Sequence, residues 1–211
     1  ESVVFVTSTG GLTCSGTVVG THHVLTVKPC IYEGATAGAP SSLRVFVGPE
    51  ARTAEQMTVV EGIATPGPPE PGGMDDNAPA VLVTAAPLGL PILPLAAASP
   101  AVDDTLTIVG YGQTETGGTG QRREGTIIVS AVMDRVFLSE GPSGLCSGDS
   151  GPAIDAAGSV AGVGLFSFSL DGMSAPGCPA GSGFATVAPH AAWLSTALMT
   201  LPPGPDAGAP D

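Results

Sequence analysis

The 211-residue sequence predicts an all-β chain closed by one short helix near its C-terminal end. Three observations support this. Short runs rich in β-branched residues recur throughout, separated by clusters of turn formers. The 31 glycines and 21 prolines break helices and supply frequent turns. A single helix-like stretch, residues 190–199, follows Pro189, which suits a first helical turn.

Taken in order, the first strands are expected at residues 3–6, 17–19, 24–27, 43–47, 57–60 and 81–83. A long Pro/Gly-rich loop occupies 66–73, and the proline-rich stretch 87–100 is expected to cross between two halves of the chain. A second set of strands follows at 106–109, 127–132, 136–138, 160–168 and 184–187. Evenly spaced short strands with Gly/Pro punctuation indicate a barrel or a sandwich. In the helix, Trp193 and Leu194 should face inward as core. The last residues, 201–211, are Pro, Ala and Gly with acidic residues; they cannot build a core and read as an extended linker.

Composition narrows the function classes. Charged residues make up 12% of the chain, against about a quarter in an average domain, while the 43% hydrophobic content is ample for a core. The net charge is −13 with six Lys and Arg, which argues against nucleic-acid binding and against docking on anionic lipid. No segment approaches the ~20 apolar residues of a membrane-spanning helix, and none reads as a signal peptide. Four cysteines allow three pairings, and none has the close Cys/His spacing of a metal site.

The most telling segment is 143–153, with Gly148-Asp149-Ser150-Gly151 at its centre. A serine on a tight turn between glycines lets a substrate carbonyl and backbone N–H groups approach closely. A plain surface turn is the alternative, since Gly, Asp and Ser are ordinary turn formers. Three more segments accompany it: Cys14-Ser15-Gly16-Thr17-Val18-Val19, Val24-Leu25-Thr26-Val27-Lys28-Pro29-Cys30, and Gly110-Tyr111-Gly112. In these segments and their order, over roughly residues 3–198, the chain resembles the trypsin-like (chymotrypsin-fold, S1) serine proteases, as a degenerate bacterial member. The family versions read Cys-Gly-Gly-Ser-Leu-Ile, Leu-Thr-Ala-Ala-His-Cys and Gly-Trp-Gly.

The resemblance implies two six-stranded Greek-key β-barrels packed side by side with a C-terminal helix. They would form one domain over residues 1–199: a barrel at about 1–90, a second at about 101–188 and the closing helix at about 189–199, with 200–211 as tail. It implies disulfides Cys14–Cys30 and Cys146–Cys178, and hence an oxidising, secreted or cell-surface setting. Ser150 matches the nucleophile, and the backbone N–H groups of Gly148 and Ser150 match the oxyanion hole. Gly144 matches the base of the primary pocket, with Ser167 and Ser182 on its walls. That pocket would be neutral and suited to an apolar or small side chain. Asp149 would pair with a newly generated N-terminus. Without that partner, its burial is costly and the loop would be disordered or inverted.

Two positions depart from the family. The catalytic histidine position is Pro29, and the aspartate position is Ala78, in Asn77-Ala78-Pro79-Ala80. Asp75 and Asp76 lie just upstream, so a shifted alignment would supply a carboxylate with no imidazole to orient. The serine that supports that aspartate falls near Leu165. A strand rises about 3.3 Å per residue, which puts His22 and His23 some 20 Å from the site, as solvated turn residues. His190 is expected as a surface or capping residue. Lys28 should point away from whatever Pro29 faces, which disfavours a Ser–Lys pair. Ser150 is therefore expected as a vestigial nucleophile.

The leading expectation is an exported, inactive module that binds a protein or peptide through the old cleft or its rim. It would need no metal or cofactor, bind no nucleic acid and insert in no membrane. The alternative is an active serine endopeptidase using Ser150 with a displaced base. A structural spacer without a ligand is the third possibility.

Overall fold

The computed structural model describes residues 1–33, 36–67, 78–114, 118–140, 143–169 and 181–200. Asp75, Asp76, Cys178, most of the 66–73 loop and the tail from residue 201 lie outside these residues.

The β-branched runs pair into antiparallel ladders that close on themselves twice. The first closure uses β1 (Val3–Ser8), β2 (Thr13–Gly20), β3 (His23–Val27), β6 (Leu43–Val47), β7 (Gln56–Ala64) and β8 (Pro79–Thr84), in the order β1-β2-β3-β8-β7-β6. A small ribbon of β4 (Tyr32–Glu33) and β5 (Thr36–Ala37) sits outside that barrel. The second closure uses β9 (Thr105–Gly110), β10 (Arg123–Val132), β11 (Val136–Glu140), β12 (Pro152–Ile154), β13 (Val160–Phe168) and β14 (Gly181–Thr186), in the order β10-β11-β14-β13-β12-β9. Counted within its own barrel, each follows the same circuit, 1-2-3-6-5-4. A 3₁₀ turn, Ala188–His190, leads into α1 (Ala191–Thr200). The expected double barrel with a closing helix is the fold.

Burial explains why these runs are strands. β6 alternates buried and half-buried residues, as a wall with one face on the core should. β3 and β8 are buried at every residue. For β3 the second face meets the other barrel, because it packs against β13. Pro79 is tolerated as the first residue of β8, where no ladder N–H is lost. Leu194 is fully buried and Trp193 packs partly buried against the same core, so the helix faces inward as the sequence indicates.

The crossing segment is tied down at both ends. Leu88 and Leu93 donate their N–H groups to the Thr21 and Val18 carbonyls of the first barrel, and Ala96 donates to Val160 in the second. Between the barrels lies an aromatic cluster, with the Tyr111 and Phe5 rings 5.8 Å apart and Phe46 beyond. The Tyr111 hydroxyl points at two carbonyls of the first barrel, those of Val3 and Gly48. Burial raises this phenol above its ordinary pKa, with the neighbouring Arg122 pulling the other way, so it remains a donor.

Two polar expectations fail, those for the turn histidines and for His190, while Lys28 faces away from the side Pro29 faces, from a 3₁₀ turn in place of a strand. His22 and His23 are only 6% and 8% exposed, not solvated. The chain after β8 folds over their turn, and the His22 ring Nδ1 lies 2.8 Å from the Thr84 carbonyl. His190 is likewise buried, within the 3₁₀ turn. Lys28 is not on a strand; it opens a 3₁₀ turn, Lys28–Ile31, with its side chain fully buried while Pro29 is exposed.

Removing the Tyr111 hydroxyl leaves two carbonyls at the barrel junction without their donor. Tyr111→Phe is expected to lower the unfolding free energy by about 1–3 kcal/mol, read as a lower urea midpoint. An unchanged midpoint would mean the hydroxyl does not hold the barrels together.

Candidate functional site

The site is built where β2 of the first barrel touches the 143–151 loop of the second. Ser15, fully buried beside Cys14, bridges them with one hydroxyl: it accepts the Tyr111 N–H at 2.8 Å and donates to the Gly148 carbonyl at 2.8 Å. Thr26 ties the same residue from behind, its hydroxyl donating to the Ser15 carbonyl at 3.0 Å. Sequence reasoning passed over Ser15. The signal was the serine in Cys14-Ser15-Gly16, where the family strand has glycine.

Four of the loop's carbonyls are engaged, that of Gly148 by Ser15 and three others by backbone N–H groups. The Cys146 carbonyl accepts from Asp149 N–H at 3.0 Å, closing a turn. Ser147 C=O accepts from Gln113, and Gly151 C=O from Gly164 at the start of the exposed stretch of β13. Gly148 occupies the third position of that turn with φ +95°, a region that requires glycine in a type II turn. Several of the loop's N–H groups find no acceptor among the described residues, and two of them flank the serine side chain. Neither the Gly148 nor the Ser150 N–H reaches an acceptor among the described residues, and no group there hydrogen-bonds the Ser150 hydroxyl. Both N–H groups expected of the oxyanion pair line the cavity beside Ser150.

Asp149 finds partners other than an N-terminus. Its Oδ1 accepts the Gly112 N–H at 2.6 Å and its Oδ2 accepts the Cys146 N–H at 3.1 Å. Glycines make room for it, since a Cβ at Gly110 or Gly112 would collide with the carboxyl. Arg123, on β10, donates to the Gly112 carbonyl at 3.3 Å and adds a nearby positive charge. Burial still dominates and pushes the Asp149 carboxyl above its ordinary 3.8, against the two N–H groups and Arg123.

Two cavities flank the loop. One, of about 330 Å³, is lined by Ser150, Gly148, Leu145, Leu165, Phe166 and Ser167 among others. Phe166 stands 42% exposed at its edge. The other, of about 370 Å³, lies behind the loop beside Asp149, Gly112, Arg123 and Gly144. Ser167 lines the Ser150 cavity, Gly144 lines the one behind, and Ser182 is fully buried with its hydroxyl accepting the Leu145 N–H at 2.7 Å. Leu145 lines both spaces.

The remaining expected positions fall into place around β2. Lys28 N–H donates to the Ala78 carbonyl at 3.1 Å, so the turn holding Pro29 meets the start of β8 at Ala78. The Cys14–Cys30 disulfide fastens that turn to β2. Cys146 is also disulfide-bonded, and its expected partner, Cys178, lies outside the described residues. Among the described residues no cluster of His, Cys, Asp or Glu could hold a metal ion, and no helix is long and apolar enough to cross a membrane.

The raised Asp149 pKa carries a sign. Above pH 3.8 the folded chain keeps this proton longer than the unfolded chain, so its contribution is full below pH 3.8 and is lost as pH rises through the raised folded value. The unfolding free energy of the native chain minus that of Asp149→Asn, followed from about pH 3 to about pH 7, is expected to shrink as pH rises. A gap that stays level or widens would refute the buried carboxyl.

Comparison with known proteins agrees with this geometry. No curated protein sequence matches the chain. Among solved structures, a scabies mite inactivated protease paralogue, S-D1, is similar at 19% identity and TM-score 0.79, covering 96% of this chain and 94% of that one. Human heparin binding protein is similar at 20% identity and TM-score 0.77, with 97% and 94% covered. Mouse neuropsin, a serine protease, is similar at 14% identity and TM-score 0.76, with 93% and 94% covered. These identities speak to the fold alone. The family model described as Trypsin matches residues 1–194, and the chain belongs to the trypsin family.

Proposed function

We propose that this trypsin-family domain is catalytically inactive and acts as an exported peptide- or protein-binding module. One observation supports it above all: among the described residues, the cavity at Ser150 offers no base. Its only titratable lining residue among them is Asp149, whose carboxylate is engaged by the Gly112 and Cys146 N–H groups. The positions that match the family's histidine and aspartate are Pro29 and Ala78. Proline has no ring nitrogen to take the serine proton, so general-base activation has no agent at that position. The scabies mite neighbour is itself named an inactivated protease paralogue, an outcome we extend to this chain. Heparin binding, named for the human neighbour, is not extended, because a net charge of −13 repels a polyanion.

Export is inferred from the disulfide Cys14–Cys30. The second reading, an active endopeptidase with a displaced base, draws on the retained Gly148-Asp149-Ser150-Gly151 motif and its two unengaged N–H groups.

A fluorophosphonate serine-hydrolase probe separates the two. Purified protein is expected to show the same negligible labelling as Ser150→Ala. Labelling that disappears in Ser150→Ala would reveal an activated serine and overturn the inactive assignment.

A further inference from the structure

We propose that two copies of this chain pair through a charge-free face made by the crossing segment and α1. The face lies outside the Ser150 cavity, so the pairing goes beyond the reading above and holds whether or not Ser150 is inactive.

A chain of net charge −13 carries here a surface from which charge is absent. Residues 77–102 contain no Asp, Glu, Lys or Arg, and neither do residues 172–205. Folding brings the described parts of these two stretches together on β13. The Ala96 N–H donates to the Val160 carbonyl, and the Val187 N–H donates to the carbonyl of the next residue, Ala161. Leu90, Leu95, Trp193 and Leu198 are only partly buried against the same core. Outside them stand Ile92, 53% exposed, and Met199, 77% exposed. A helix on a protein surface normally turns charged side chains to water. The exposed side chains of α1, from Ala191 to Met199, are Ala, Ser, Thr and Met alone.

Charge selects what covers such a face. Two copies repel through the surfaces that carry their carboxylates, and least through this one. A partner rich in Lys or Arg gains no ion pair here, and an anionic lipid surface finds no cation. A second copy brings the same uncharged apolar surface, and a two-fold axis lets one patch serve both protomers. The crossing segment is set for contact before association. Leu88, Leu93 and Ala96 are hydrogen-bonded to the barrels, and Pro87, Pro91 and Pro94 restrict its exposed backbone, so little freedom is lost on pairing. Among the described residues, neither cavity beside the 143–151 loop is lined by the crossing segment or by α1. Pairing therefore leaves the Ser150 cavities open, and the dimer offers two of them to a multivalent partner.

Sedimentation equilibrium of the full chain between about 1 and about 100 µM tests this, because pairing follows mass action. The expected result is a shift from one to two chain masses across that range, with a tighter dimer as added salt screens the −13 charges. Ile92→Glu and Met199→Glu each place two unpaired carboxylates in the contact, one per protomer, and are expected to weaken the dimer at least about tenfold. Both positions are exposed, so an unchanged urea midpoint of the monomer checks the fold. Phe166→Glu, at the edge of the Ser150 cavity, is expected to leave the dimer intact. A single-chain mass at the highest concentration, or a dimer indifferent to both Ile92→Glu and Met199→Glu, overturns the proposal. So does a dimer lost only in Phe166→Glu, which would place the contact at the cavity. Binding of the unpaired chain to neutral phosphatidylcholine vesicles would assign the face to lipid and overturn it too.

Discussion

A carboxylate removed from water has to be met by donors, and the Asp149 side chain is the point around which the site is arranged. Its two oxygens collect N–H groups from separate segments, Gly112 at the end of β9 and Cys146 at the head of the loop. That demand keeps both neighbours as backbone-only residues on one side, since the carboxyl fills the space a Cβ would need at Gly110 and Gly112. With the loop pinned there, Ser15 reaches across from the other barrel to the Gly148 carbonyl. The consequence is a loop held at Cys146, Ser147, Gly148 and Gly151 through its carbonyls, with the Gly148 and Ser150 N–H groups left without an acceptor among the described residues. Arg123 adds a compensating charge from within the barrel wall.

The same arrangement separates holding a nucleophile from using one. Binding geometry needs fixed dipoles, and those are supplied by the backbone and need no particular side chain. Proton transfer needs a specific titratable group, and on the proposed reading the position that would supply it is Pro29. A chain can therefore lose chemistry through one or two substitutions while its cleft persists, because different parts of the molecule specify the two.

How much of this was legible in the sequence follows the same division. The barrels were, because runs such as Leu43–Val47 carry the alternation that a one-sided wall demands. β12 was not, since Pro152–Ile154 is only three residues long and its strand character comes from pairing with β9 and β13. Burial of His22 and His23 depends on how the chain after Thr84 lies over their turn, which no local pattern encodes. Pro29 and Ser150 could be matched to family positions because one sits beside a cysteine and the other within a glycine-flanked motif, and Ala78 because it precedes the apolar run Pro79–Val83. The bond between the Ser182 hydroxyl and the Leu145 N–H was not legible, because it joins residues far apart in the chain. Ser15 shows the converse: a single residue out of pattern marked the junction of the barrels.

The identical strand circuits of the two barrels invite the idea of halves that could be separated, exchanged or inherited singly. The crossing segment denies it. Leu88 and Leu93 are fastened to one barrel and Ala96 to the other within nine residues. What joins the barrels is a seam stitched into both edges, with no slack to act as a tether. A break there would unpick structure on both sides, so natural or laboratory recombination must move the pair as one cassette. Any relative motion between the walls of the cleft must come from loops and side chains, leaving the barrels themselves as a fixed frame.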